Sequence, residues 1–276
     1  MDDRTAAILD ILRALTAQTF AVTMRHPSRS AERSFVGATL FEYAVAAGLV
    51  PAKMGGSAMA DGYLVVTAED DVHVVVALAE VWPTMTGKQV FLAYEQDGEA
   101  LRNGVRLVCD GDYLSGRSLG GIVSVELRQV GRSTVAASEP GRVVVNGLLD
   151  RPVTLDAASL RERAPIEVTT VATTGHGGQP IPPRVYVGPR LYEVLDSAGI
   201  RLDPAVNEAF LTKIVVATSA DGHAAVIAGA ELEPRFMNGD VIVTAEADGA
   251  LRLMVPFDRK PGRWAKDLVS IELREG

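Results

Sequence analysis

Two stretches of this 276-residue chain, 151 positions apart, keep one register: SFVGATLFEYAVAAG from Ser34 and VYVGPRLYEVLDSAG from Val185. The same offset joins TAEDDVHVVVALAEVWP to TSADGHAAVIAGAELEP and runs on to the pairs Asp97-Gly98 and Asp248-Gly249. RLVCDGDYLSGRSLGGIVSVEL then matches RLMVPFDRKPGRWAKDLVSIEL without a gap. Shared composition does not hold a register through several elements, so the pattern reads as a tandem duplication. Its period is too long for a solenoid and suits two folded domains. Domains of about 100–150 residues fill the available length.

Within each copy the periodicity alternates between strand and short helix. Ile8, Ile11, Leu12 and Leu15 stand at helical spacing. Phe20 to Met24 predicts a strand, His26 to Arg33 a polar loop, and Gly37 to Ala47 a helix through Leu40, Phe41, Ala44 and Val45. Two strands flank the acidic turn Glu69-Asp70-Asp71, and Gln89 to Leu107 predicts a hairpin around Asp97-Gly98, a pair suited to positive φ. Ile122 to Val130 closes the first copy. Arg142 to Leu149 predicts a strand with no counterpart there. The second copy then follows with a short helix or turn (155–163), a strand (166–171), a loop (172–185), a helix (189–198) opened by Pro189, strands at 213–217 and 224–227, a hairpin over 241–255 and a final strand at 268–273. The expected organisation is α+β, strand-rich with a few short helices per copy: residues 1–131 a first, degenerate domain, 132–141 a linker, and 142–276 a second domain. Phe35 and Tyr186 are expected to staple the starts of the paired helices.

Composition narrows the function. The net charge of −8 argues against a general nucleic-acid or anionic-membrane binder. No apolar run reaches the ~18–20 residues that cross a bilayer. The acidic amphipathic start is unlike an export signal, so a cytoplasmic location is expected if Met1 is the natural start. One cysteine, Cys109, builds neither a disulfide framework nor a multi-cysteine zinc site.

The second copy's order of VVVNGLLDRPVTL, VYVGPRLYEVLDSAG, ADGHAAVIAGAELEP and VPFDRKPGRWAKDLVSIEL resembles the sulfite-oxidase-type molybdopterin-binding domain. The resemblance covers nearly all of the second copy and reaches the first mainly through the repeat. It implies two tandem domains of that fold. Active members of the family carry a molybdenum-ligating cysteine in the loop before the aromatic-x-Gly helix. Here that loop is TTGHGGQPIPPR in one copy and RHPSRSAER in the other, without cysteine. The chain is therefore more similar to the family's cysteine-less, pterin-binding members, and no molybdenum is expected through a cysteine ligand.

Candidate ligand-binding residues follow from that reading. Thr173, Thr174, His176 and Gly177 form a glycine-rich loop whose backbone N–H groups could approach an anionic or heteroaromatic ligand. The bland alternative is an exposed loop histidine. No second His or Cys stands at metal spacing, so no metal site is expected. Arg259, Lys260, Arg263, Trp264 and Lys266 combine cations with an indole able to stack on a flat ring. The alternative there is a solvated turn with Trp264 as a lid on the core. His223 is a candidate pocket wall, or a surface turn residue. No catalytic set such as GxSxG or HExxH is present. The leading expectation is non-redox binding of a small molecule, a pterin or similar anionic heteroaromatic. The alternatives are a molybdopterin-dependent oxidoreductase or cofactor-free enzyme using the same pocket, and a protein-interaction module with a protein partner or homo-oligomer.

Overall fold

The computed structural model describes residues 2–53, 59–86, 88–131, 141–171, 173–174, 179–237 and 239–276. The chain opens with a helix, Asp3–Ala14, capped by the Asp2 carboxylate on the Arg4 N–H at 2.9 Å. A long hairpin follows, β1 (Gln18–His26) and β2 (Arg29–Thr39), paired from Gln18↔Gly37 out to His26↔Arg29. The polar loop expected over 26–33 is thus the tip of a hairpin whose exposed residues keep strand geometry beyond the core. Helix Leu40–Ala46 begins with a capping box, Thr39 Oγ1 accepting from the Glu42 N–H at 3.1 Å.

Strands β3 (Gly62–Ala68) and β4 (His73–Ala77) are joined by the acidic turn, with Asp71 at φ 63°. A buried four-residue helix, Leu78–Val81, follows directly. Then come β5 (Val90–Gln96), β6 (Glu99–Ala100), β7 (Arg106–Cys109) and β8 (Ile122–Gln129), the β5–β6 turn placing Asp97 and Gly98 at positive φ as expected. β2, β5 and β7 form one sheet, and β4-β3-β8 another.

The second half adds β9 (Val143–Gly147) and β10 (Val153–Leu155), which extend the order β10-β9-β19-β15-β16. β9, the strand expected to lack a counterpart in the first half, runs parallel to β19. Asp156 caps helix Ala157–Arg161. After β11 (Ile166–Thr169), β12 (Thr173–Thr174), β13 (Pro180–Ile181) and β14 (Val185–Gly188) comes helix Leu191–Ser197. β15 (Lys213–Ser219) and β16 (Ala224–Ala228) lead into helix Gly229–Leu232, and β17 (Ile242–Ala245), β18 (Leu251–Met254) and β19 (Leu268–Glu275) complete the chain.

The predicted helix starts are corrected by a few residues. Phe35 and Tyr186 sit on β2 and β14, not on helices, because extended backbone persists to Thr39 and Arg190. Pro189 therefore precedes its helix instead of opening it. The predicted linker falls almost wholly outside the described residues. Strand-rich with six short helices among the described residues, the molecule is α+β.

Each half has a core of its own, and a third buried cluster joins them. On β3, Leu64 and Val66 face the first core while Tyr63 and Val65 face the seam. Val75 and Ala77 of β4 join Ile214, Val216, Val226 and Ala228 of β15 and β16 across it. Strands buried on both faces read as continuous apolar runs instead of alternating ones, which is how GYLVVTA and KIVVATS look. Backbone bonds cross reciprocally: the Tyr113 N–H donates to the Phe236 carbonyl and the Arg259 N–H to that of Met85. Tyr113 and Arg259 occupy matching positions of the repeat, as do Met85 and Phe236. Phe236, with Leu211 and Ala230, is packed into the first half's core. Among the described residues no helix is long and apolar enough to cross a membrane.

Candidate functional site

Part of the second-half set chosen from sequence lies close together. The Thr174 N–H approaches the Arg259 carbonyl at 3.4 Å, and His223 Nε2 lies 2.9 Å from the Gly262 carbonyl. Thr173 and Thr174 belong to β12, paired with β13. His176 and Gly177 lie outside the described residues. Lys260 reaches across the seam to Thr84 Oγ1 at 3.1 Å, and Lys266 is exposed.

Arg263 and Trp264 depart from the expectation. Trp264 is 9% exposed, and its indole N–H donates to the Val255 carbonyl at 2.8 Å, so the ring caps the core and has no free face for a flat ligand. Arg263 is wholly buried. Its Nε and Nη2 reach the two Asp258 oxygens at 2.9 and 2.6 Å, and Nη1 reaches the Glu231 carboxylate at 2.8 and 3.0 Å. A guanidinium so committed is a core group. The first half repeats the arrangement: wholly buried Arg117 forks onto Asp112 at 2.8 Å and reaches Glu80 at 2.7 and 3.1 Å. There Lys88 joins, 2.5 Å from Asp112 and 3.3 Å from Glu80. These clusters escaped the sequence reading, although Gly-Arg was kept in both copies and the two glutamates align.

A different arginine faces open space. Between Gly98 and Arg106 the first copy has seven residues, where the second has two between Gly249 and Arg252. The longer loop, with Gly120 and Gly121, lines a cavity of about 220 Å³ that contains Arg102, Asn103 and Arg106. Arg106 Nη1 donates to the Ser118 carbonyl at 3.2 Å, while its Nε is buried without a partner. Among the described residues no carboxylate pairs with Arg106, and burial alone pulls its pKa down. Gly120 leaves room at the guanidinium, since a Cβ there would stand 3.3 Å from Nη2. A half-buried guanidinium with no carboxylate paired to it among the described residues, opening onto a cavity, suits an anionic oxygen group.

The matching cavity of the second half, about 350 Å³, is lined by Glu246, Asp248, Arg252, Lys266 and Asp267 among others. There Glu246 neutralises Arg252 at 2.6 Å. A third cavity, about 360 Å³, lies beside Tyr192, Phe210, Glu208 and Glu233. Both of its glutamates pair with Arg235. Cys109 is buried, and burial pushes its thiol up to about 12, so it supplies no thiolate ligand near neutral pH. Among the described residues no group of three or more His, Cys, Asp or Glu side chains could hold a metal ion.

No family model matches the chain, and no curated protein matches it in sequence. A solved structure does. The sulfane dehydrogenase SoxCD from Paracoccus pantotrophus is similar at 19% identity and a TM-score of 0.39, over 56% of this chain and 43% of that one. The chain thus spans less than half the length of that protein. Arg106 was not among the residues singled out from sequence. The signal for it was the five-residue difference between the two copies just before it.

Proposed function

We propose that the chain binds a small anionic ligand, a phosphorylated pterin being the leading candidate, through the first-half cavity at Arg106. The observation that carries this reading is the half-buried guanidinium with an unpartnered Nε and no carboxylate, facing a cavity floored by two glycines. Its size suits a phosphate-like group more than a whole heterocycle, because full ligand pockets run to about 300–1,000 Å³. Arg106 would supply the fork, Arg102 a mobile second cation and Asn103 an amide donor. The planar part of the ligand would lie over the rim. In this reading the halves are tandem domains of one sulfite-oxidase-like fold, and the first copy, not the second, carries the ligand. Binding needs no redox step, in keeping with a thiol held protonated in the core.

Isothermal titration with a pterin phosphate, and with inorganic phosphate as the bare group, tests the proposal. Saturable binding that weakens with salt is expected, at least tenfold weaker in Arg106→Gln and unchanged in Arg252→Gln. No binding by the wild type, or equal binding by Arg106→Gln, would remove it.

A further inference from the structure

The two buried ion clusters differ by one cation. In the first half Glu80 and Asp112 face Arg117 and Lys88, two charges of each sign. In the second, Glu231 and Asp258 face, among the described residues, Arg263 alone. The residue in register with Lys88 is Gly239. No side chain fits there, for a Cβ on Gly239 would stand 2.4 Å from the Glu231 carbonyl oxygen. All three charged side chains are fully shielded from solvent. A buried charge with neither counter-ion nor water is relieved by taking up a proton.

We infer that the second cluster is a proton-binding site that takes up one proton on Glu231, while the first stays fully ionised. The geometry selects the carboxyl. Asp258 receives a two-pronged fork from Nε and Nη2, whereas Glu231 shares the single Nη1 nitrogen. Glu231 also accepts from the Ala228 N–H at 2.9 Å. The groups around it add no further cation. β4 carries His73, β15 carries Lys213, which is committed to Glu275 at 2.8 Å, and β16 and segment 209–212 carry no ionisable side chain. His223 is held at the Gly262 carbonyl. Glu80, in register with Glu231 on the other half, contributes like charge. Burial pushes the Glu231 carboxyl up to about 7 against the pull of Arg263, and burial raises Asp258 as well. Burial acts equally on Glu80, but Arg117 and Lys88 outweigh it and hold that carboxyl low. Because the two glutamates stand on either side of the seam, the proton ties its electrostatics to pH.

Infrared spectroscopy of the protonated-carboxyl C=O stretch in the full chain, from about pH 5.5 to 8.5, tests this. A band is expected at the acid end that fades as pH rises and is missing from Glu231→Gln. Its absence from the wild type, or its survival in Glu231→Gln, overturns the inference. Lys88→Met gives the first cluster the second's cation count and is expected to add a second such band. A folded Lys88→Met protein without it also overturns the inference. Should a variant fail to fold, the wild type still decides: urea unfolding at about pH 6 should release about one proton per chain. No release contradicts the proposal.

Discussion

Arg117 and Arg263 show how far the same residue type can be from a ligand role. Each was legible as part of a Gly-Arg pair, and one was chosen as a binder, because a sequence shows a cation but not the two carboxylates folded around it. The partners lie 37 and 5 residues away for Arg117, and 32 and 5 for Arg263. Only the closed β4–helix turn unites them. Removing one partner from a buried pair leaves an uncompensated charge, which costs about 3–5 kcal/mol. Arg117→Met should lower the unfolding free energy by that order in urea denaturation. Arg117→Lys should recover little, since an ammonium cannot reproduce the fork. Arg106→Gln, by contrast, should leave stability within about 0.5 kcal/mol, as an unpaired position outside such networks does. The contrast between those variants separates a core arginine from one facing a cavity.

Among the elements, strands were read more reliably than helix starts. Valine-rich runs and the Asp-Gly turns carry local signals, so β3, β5 and their counterparts emerge from the sequence close to their observed bounds. The helix starts depend on where a strand lets go, which is a matter of pairing: β2 stays paired with β5 through Thr39, across a register shift between Val36 and Gly37. The motif glycines explain why. A Cβ on Gly37 would lie 1.9 Å from the Leu92 carbonyl oxygen, and one on Gly188 2.1 Å from that of Val243. The conserved-register glycine of each copy is therefore a place where a neighbouring backbone presses in, not a helix feature. Gly37→Ala and Gly188→Ala should each destabilise by more than about 2 kcal/mol, at the severe end for single substitutions. Thermal unfolding would show it. Thr39→Ala, which only removes a cap, should cost about 1 kcal/mol.

For the whole molecule, the clusters bend the pH dependence in opposite directions. Glu80 and Asp112 are held below their ordinary values by Arg117 and Lys88 despite burial. Their contribution is present above the unfolded carboxylate range near pH 4 and is lost as pH falls through the lower folded values. Glu231 is raised to about 7 by burial, so its contribution is complete below about pH 4 and is lost as pH rises through 7. Melting temperature followed across pH should therefore peak between about pH 4 and 6 and decline on both sides. A curve still rising at pH 8 would contradict the assignment. The shared register of the two halves was legible in the sequence. That the second half finishes the first half's core was not, since no local pattern marks Phe236 as a residue of the first half's interior.

That lent phenylalanine bears on how the chain melts. Two independent repeats would unfold as two heat-absorption peaks. Here Phe236, Leu211 and Ala230 are lodged in the neighbouring core, and Tyr113 and Arg259 hand backbone bonds across in both directions. Opening the second half exposes the interior of the first, and opening either half uncovers the apolar seam they share. Calorimetry should accordingly record one transition whose van't Hoff and calorimetric enthalpies agree: two similar halves that behave as a single cooperative unit.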